Sequence, residues 1–417
     1  MSTCNDNNPN TFATAKLQHN STMMKKPPQI ARLFLKMLGN LSYGHLRVVT
    51  PDQALLSFGD VNIDVTAILY IHDWRACSKI LRGGDIGFAQ AYEAGWVSTN
   101  NLTALLRLAI RNENALDNAI FGGKLMGFWH KLKHWLRPNT RKGSRRNIHA
   151  HYDIGNAFYQ LWLDPSWTYS SAIFDKDCSI TLEQAQAKKY QRIIDNLQLK
   201  AGDRVLEIGC GWGGFAEHAA KQGIYIHGVT ISEAQLEIAQ QRIADQYLQD
   251  FVTLELCDYR DLSVQYDAIV SIEMFEAVGE QYWDTYFKTV AKHLKPNAKA
   301  LIQTITIDEN RFERYRSGTD FIQQYIFPGG MLPSPLRFTQ YAEKHDLTTV
   351  DQFCFGKDYA ETLRRWNENF NHHNNEINKL GFDTPFQRIW QLYFSYCEAG
   401  FDEGNTDVIQ FTLQKNA

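Results

Sequence analysis

The chain has 417 residues, a length that points to two or three domains. Apolar residues make up 44% and charged residues 21%, ordinary proportions that exclude collagen-like, wholly disordered and multi-span membrane classes. Forty-three Lys+Arg against 46 Asp+Glu leave a formal charge of −3, so no global polycation draws the chain to nucleic acid and no such partner is expected.

Residues 1–28 are rich in Asn, Thr and Ser and end in Lys25, Lys26, Pro27 and Pro28, which predicts a disordered tail. The tail lacks a basic start followed by an apolar run, and no stretch reaches the roughly 18 uninterrupted apolar residues of a spanning helix. The seven cysteines, Cys178 among them, are scattered, odd in number and without metal-ligand spacing, as free thiols of a reducing compartment would be. A cytoplasmic protein without a metal site is expected. Over 29–123, short runs such as HLRVVTP and ALLSFGD predict strands, DVTAILYIHDW a strand and NLTALLRLAI a helix, together a small α+β domain. Residues 124–148 form a basic aromatic linker: from Lys124 to Arg146 there are eight Lys/Arg, no acidic residue, and Phe128, Trp129 and Trp135 interleaved. That composition fits an anchor to anionic lipid or a solvated linker.

From 149 to 417 a strand-helix rhythm sets in. Thr181 to Gln184 has the form of a capping box opening a helix that runs to Leu197, and Ser232 with Gln235 opens another to about Gln249. Arg204–Ile208, Ile224–Thr230, Phe251–Leu256, Tyr266–Ile272 and Lys299–Ile307 predict strands; Phe215–Gln222 and Tyr282–His293 predict helices. Repeated βα units imply an α/β, doubly wound sheet covered by helices on both faces.

The first strand of this series ends in VLEIGCGWGG, with Gly209, Gly211, Gly213 and Gly214. Such glycines let the backbone turn sharply and approach a nucleotide-like ligand without a Cβ in the way. VLEIGCGWGG resembles motif I of the S-adenosylmethionine-dependent methyltransferases, and its Trp is similar to that of the cyclopropane fatty acid synthase family. HAHYDIGNAFYQLWLDPSWTYSSAIF, GVTIS with Gln235, DYRD, IEMFEAVGEQYW, DFIQQYIFPGGMLPSP and WQLYFSYCEAGF resemble that family in order and spacing. The likeness runs from His149 to the C-terminus and, more weakly, through GDIGFAQAYEAGW upstream.

The resemblance implies a class I methyltransferase (Rossmann-like) domain with helical insertions forming an acyl pocket, and S-adenosylmethionine as cofactor. It implies cofactor contacts at Tyr169, Ser170, Gly209, Gly211, Gly213, Thr230, Gln235, Asp258 and Tyr259. It implies transfer of a one-carbon unit to the cis double bond of an unsaturated phospholipid acyl chain, through a carbocation whose deprotonation closes a cyclopropane. The substrate would be reached by peripheral contact with the inner face of the membrane. Tyr325, Phe327, Trp366, Trp390 and Tyr393 are candidate walls of the pocket, since π faces shelter a cation.

Ring-forming members resemble one another in holding a bicarbonate with Cys, Glu, His and Tyr. Glu276 and Tyr359 match the Glu and the Tyr, but Ser171 stands for the Cys and Gln303 for the His. Both can still donate hydrogen bonds, which leaves room for bicarbonate, yet neither supplies a histidine's proton switch. No substitute can be assigned among His130, His134, His149 and His151; Cys397 is a further pocket candidate. Glu276 is the expected reaction centre, with Tyr359 beside it. The departures keep three alternatives open: methyl transfer to the same olefin without ring closure, a small-molecule methyltransferase, and a lipid-binding module without catalysis. Homo-oligomerisation is also open.

Overall fold

Two sheets organise the computed structural model, which describes residues 27–64, 66–120, 154–177 and 179–416. The basic run from Lys124 to Arg146, the four histidines around it, Cys178 and all of the tail except Pro27 and Pro28 lie outside these. The first sheet has the order β2 (Leu55–Gly59), β1 (His45–Val49), β3 (Ala67–Ile71), β4 (Val97–Thr99). β1 pairs antiparallel with β2 and parallel with β3, and the helices Gln29–Leu38, Arg75–Glu93 and Leu102–Arg111 accompany it. The alternating burial of β3 fits a sheet with one covered face.

The second sheet has the order β10 (Leu347–Cys354), β11 (Thr406–Lys415), β9 (Leu294–Ile307), β8 (Tyr266–Ile272), β5 (Arg204–Ile208), β6 (Tyr225–Thr230), β7 (Val252–Leu256). The strands from β9 to β7 are mutually parallel; β11 and β10 run antiparallel. The parallel half matches the expected βα rhythm. The capping box of Thr181 and Gln184 opens the helix Leu182–Leu197, and Ser232 caps Glu233–Asp245 through the Gln235 amide. Two expectations shift. β9 begins five residues earlier than Lys299, and the antiparallel pair β10 and β11 was not anticipated, because β11 is buried from Val408 to Leu413 and shows no alternation to read.

The first sheet is seated on the second through the helix Thr384–Glu403, which Asp383 caps through the Phe386 amide. Arg107 and Arg111 pair with Glu403 at 2.7 and 2.6 Å, and the Thr103 hydroxyl donates to Glu398 at 2.8 Å. The same helix turns Trp390, Tyr393 and Phe394 into an aromatic core with Phe158, Trp162, Trp366 and Phe370. One helix therefore ties the amino-terminal sheet to the walls of the candidate site.

Candidate functional site

The glycine turn follows β5. The amides of Gly209 and Cys210 both donate to the Val229 carbonyl, at 2.9 and 3.1 Å, which pins the turn to the neighbouring strand β6. Gly209, Gly211 and Gly213 have φ of 83°, 52° and 82°, values a side chain disfavours. A Cβ on Gly209 would collide with Met274, whereas one on Gly211 would meet nothing within 4 Å. The turn is thus packed behind and open at Gly211, the shape a close-lying ligand requires.

Thr230, at the end of β6, accepts from the Ser232 amide and sits 3.4 Å from the Gln235 oxygen; both side chains are buried. Asp258 follows β7 and is gripped by the Arg260 guanidinium, with Tyr259 edge-on to Tyr286. The turn, Thr230, Gln235, Asp258 and Tyr259 thus line one edge of the sheet, outside the carboxyl ends of adjacent parallel strands, where α/β folds hold ligands. From upstream, Tyr159 packs against both Tyr169 and Trp212 of the turn. Ser170 accepts from the Lys189 ammonium at 2.6 Å, and the Tyr169 hydroxyl donates to that of Tyr393 at 2.9 Å.

Beside this edge lies a carboxylate that sequence reasoning passed over. Glu273 directly follows β8 with a φ of 49°, a strained conformation for a residue with a side chain. One oxygen, Oε1, accepts from the Ser171 amide and from the Gln303 side chain, each at 2.8 Å. Its Oε2 accepts from the Tyr359 hydroxyl at 2.6 Å. Burial raises its pKa, while Tyr359, Lys189, Ser171 and Gln303 pull it down. Tyr359 and Gln303 thus meet on Glu273 and not on Glu276, three residues further. Glu276 accepts from the Ile305 amide, and its second oxygen meets no geometrically sound donor among the described residues. Burial, and then the charge of Glu273, push its pKa up to about 8. Of the two carboxyls Glu273 has the three donors, so the ionised form belongs there and the proton on Glu276.

A stability consequence follows. The unfolded chain loses the Glu276 proton near its ordinary pKa while the folded chain keeps it to about 8, so this contribution to stability is complete below the ordinary value and lost as pH rises toward 8. Glu276→Gln, a permanent neutral mimic, is expected to melt progressively above wild type as pH is raised from about 5 to about 8. Parallel melting curves would place the proton elsewhere.

The donors that the resemblance assigns to a bicarbonate are occupied by the Glu273 carboxylate, and the Ser171 hydroxyl turns to the Ala172 carbonyl. Two further buried groups went unnoticed in the sequence. Lys189 has its pKa lowered to about 7, by burial first, against the pull of Glu273, Asp164 and Glu207. Glu207, in the motif strand itself, is held well above the ordinary carboxylate range by burial. Cys397 packs against the aromatic core and its thiol is kept protonated by burial. Trp366 stands edge-on to Tyr359 and packs on Tyr169, and Phe327 meets both the Tyr169 and the Tyr393 ring. Tyr325 packs instead on Phe321.

A parallel sheet with a glycine turn at its carboxyl edge, an open face at Gly211 and hydroxyl and amide groups beside it define a class I methyltransferase that uses S-adenosylmethionine. The profile of the family described as "Mycolic acid cyclopropane synthetase" matches residues 139–411, and the chain belongs to that family. It is similar to the tuberculostearic acid methyltransferase of Mycobacterium tuberculosis, 38% identical over 83% of this chain and 82% of that one. It is also similar to the cyclopropane-fatty-acyl-phospholipid synthase of Escherichia coli, 36% identical over 78% and 81%. Among solved structures, a mycolic acid cyclopropane synthase complexed with SAH and CTAB matches with a TM-score of 0.61 at 31% identity, covering 65% of this chain and 98% of that one. The protein is therefore an S-adenosylmethionine-dependent C-methyltransferase of the cyclopropane synthase type, acting on fatty acyl chains.

Proposed function

We propose that the protein methylates the cis double bond of an unsaturated phospholipid acyl chain and that Glu273 removes a proton from the resulting carbocation, closing a cyclopropane. The observation that carries this reading is the Glu273 carboxylate, held by Ser171, Gln303 and Tyr359, with Trp366 edge-on to that tyrosine and Tyr169 packed on Trp366 and hydrogen-bonded to Tyr393. S-Adenosylmethionine, held along Tyr169, Ser170, the glycine turn, Thr230, Gln235, Asp258 and Tyr259, supplies the electrophilic methyl. The alkene π electrons form the new C–C bond, and the electron pair of the broken S–C bond stays on sulfur. The aromatic faces then stabilise the cation and exclude water. Glu273 Oε2, whose one donor among the described residues is Tyr359, has a lone pair to take the proton; the C–H electrons close the ring. Ser171 binds Glu273 and adjoins Ser170 on the cofactor side, so the base lies beside the newly delivered methyl. In this reading the run from Lys124 to Arg146, with its tryptophans, docks the protein on an anionic lipid surface.

A second reading, loss of a chain proton to leave a methyl-bearing alkene, is favoured by Ser171 and Gln303 at the Cys and His positions and by the likeness to a tuberculostearic acid methyltransferase. Cells carrying the gene and fed methyl-deuterated methionine separate the two when their fatty acids are analysed by gas chromatography and mass spectrometry. A saturated ring acid that keeps two of the three deuteriums is expected. All three in a branched or unsaturated acid would establish the second reading, and no labelled lipid would sink both in favour of a small-molecule acceptor.

A further inference from the structure

The Gln303 amide that touches Glu273 is one end of a longer polar chain. Gln303 on β9 and Gln410 on β11 are register partners, and Gln410 Nε2 donates to Gln303 Oε1 at 3.0 Å. Both side chains are fully buried. Beyond them Arg192, on the helix Leu182–Leu197, donates to Gln410 Oε1 at 2.5 Å, pairs with Asp351 at 3.3 Å and lies over the Phe353 ring at 3.9 Å.

A carboxamide has an acceptor end and a donor end of nearly the same shape, so its orientation is set by its neighbours. Arginine is permanently cationic and has no acceptor. Gln410 must therefore turn its oxygen to Arg192 and its nitrogen to Gln303; Gln303 must in turn give its oxygen to Gln410 and its nitrogen to Glu273. An ionised carboxylate accepts only, and it demands the same polarity from the other end. We propose that Arg192 and Gln410 are positioning residues of the reaction, locking the Gln303 amide with its N–H toward Glu273 Oε1 and so holding that carboxylate in its ionised, proton-accepting form. The proposal rests on Glu273 being the base. With Arg192 removed, both amides are free to rotate, and a rotated Gln303 presents an oxygen that only a protonated Glu273 can satisfy.

The other groups facing Glu273 are the Glu276 carboxyl, the Lys189 ammonium and the Tyr359 and Tyr393 hydroxyls, and none is altered in the test. The full-length protein is assayed on unsaturated phospholipid vesicles across about pH 5.5 to about 9, where the acid limb of kcat reports the base in the bound complex. Arg192→Leu and Gln410→Met are expected to move that limb up by roughly half to one pH unit and to lower kcat near neutrality several-fold. The KM for S-adenosylmethionine stays within about twofold, and Arg192→Lys, which keeps charge and donor, restores the limb. An unmoved limb accompanied by a lowered melting temperature would reduce the chain to sheet packing and overturn the proposal. If Arg192→Leu does not fold, Gln410→Met decides. Wild-type turnover by Glu273→Gln would show instead that the base assignment beneath the proposal has failed.

Discussion

Glu273→Gln is expected to cut turnover by about 10²–10⁴-fold, the usual worth of a positioned general base, while S-adenosylmethionine binds within about twofold of wild type. The amide keeps the size and shape of the carboxylate but lacks an ionised oxygen to accept the proton. The Tyr359 hydroxyl can rotate to accept where it formerly donated, so the fold tolerates the change. Glu276→Gln provides the comparison. Glu276 already carries its proton at neutral pH, and its neutral mimic should keep turnover within about tenfold of wild type. Calorimetry for the cofactor and product mass spectrometry for turnover separate the two variants. A larger loss in Glu276→Gln would exchange their roles, and equal loss of binding and turnover in Glu273→Gln would turn the latter into a structural residue.

The choice between two glutamates as the partner of Tyr359 and Gln303 marks where the sequence stops being readable. VLEIGCGWGG is legible by residue type: its three left-handed glycines declare the turn by identity, although the Val229 carbonyl that pins it and the Met274 side chain behind it come from other strands. The caps at Thr181 and Ser232 are legible in the same sense. In IEMFE, by contrast, both glutamates suit a reaction centre, and the resemblance selects the second. Which of them reaches Tyr359 depends on the left-handed backbone at Glu273 and on a contact 86 residues away, neither of which leaves a pattern. Gln303 and Gln410 lie 107 residues apart and meet only because β11 returns antiparallel to β9. That strand, covered throughout its middle, carries no periodicity that would announce it. Composition could count the aromatic residues; only packing divides Trp366, beside Tyr359, from Tyr325, which faces Phe321.

The second large effect is expected in that packing. Phe158 is fully buried, and its ring meets Trp390 at 4.8 Å, Phe382 at 5.1 Å, Phe386 at 5.5 Å and Trp162 and Phe370 at 6.0 Å, all at steep angles. Edge-to-face contacts of this kind add to area burial, and these five rings closing on one leave the surroundings little room to collapse into a void. Phe158→Ala should therefore cost about 3–5 kcal/mol, the range for large aromatic truncations, out of the roughly 5–15 kcal/mol that holds an ordinary domain folded. Phe158→Leu, which fills most of the space, should cost much less. The helix that carries Trp390 also carries Tyr393 and grips the helix Leu102–Arg111 beside the amino-terminal sheet through Glu398 and Glu403. Loosening it should lower turnover on phospholipid more than affinity for S-adenosylmethionine: Trp212 and Tyr169 touch the aromatic core, but the strands β5 and β6 that carry the glycine turn and Thr230 also pack, through Val205 and Ile226, in another core. Thermal melts with lipid turnover and cofactor titration on the same samples check both parts. A parallel loss of cofactor affinity in Phe158→Ala would mean that the aromatic core supports the whole site, and a melting temperature unchanged from wild type would mean that these rings repack without a cavity.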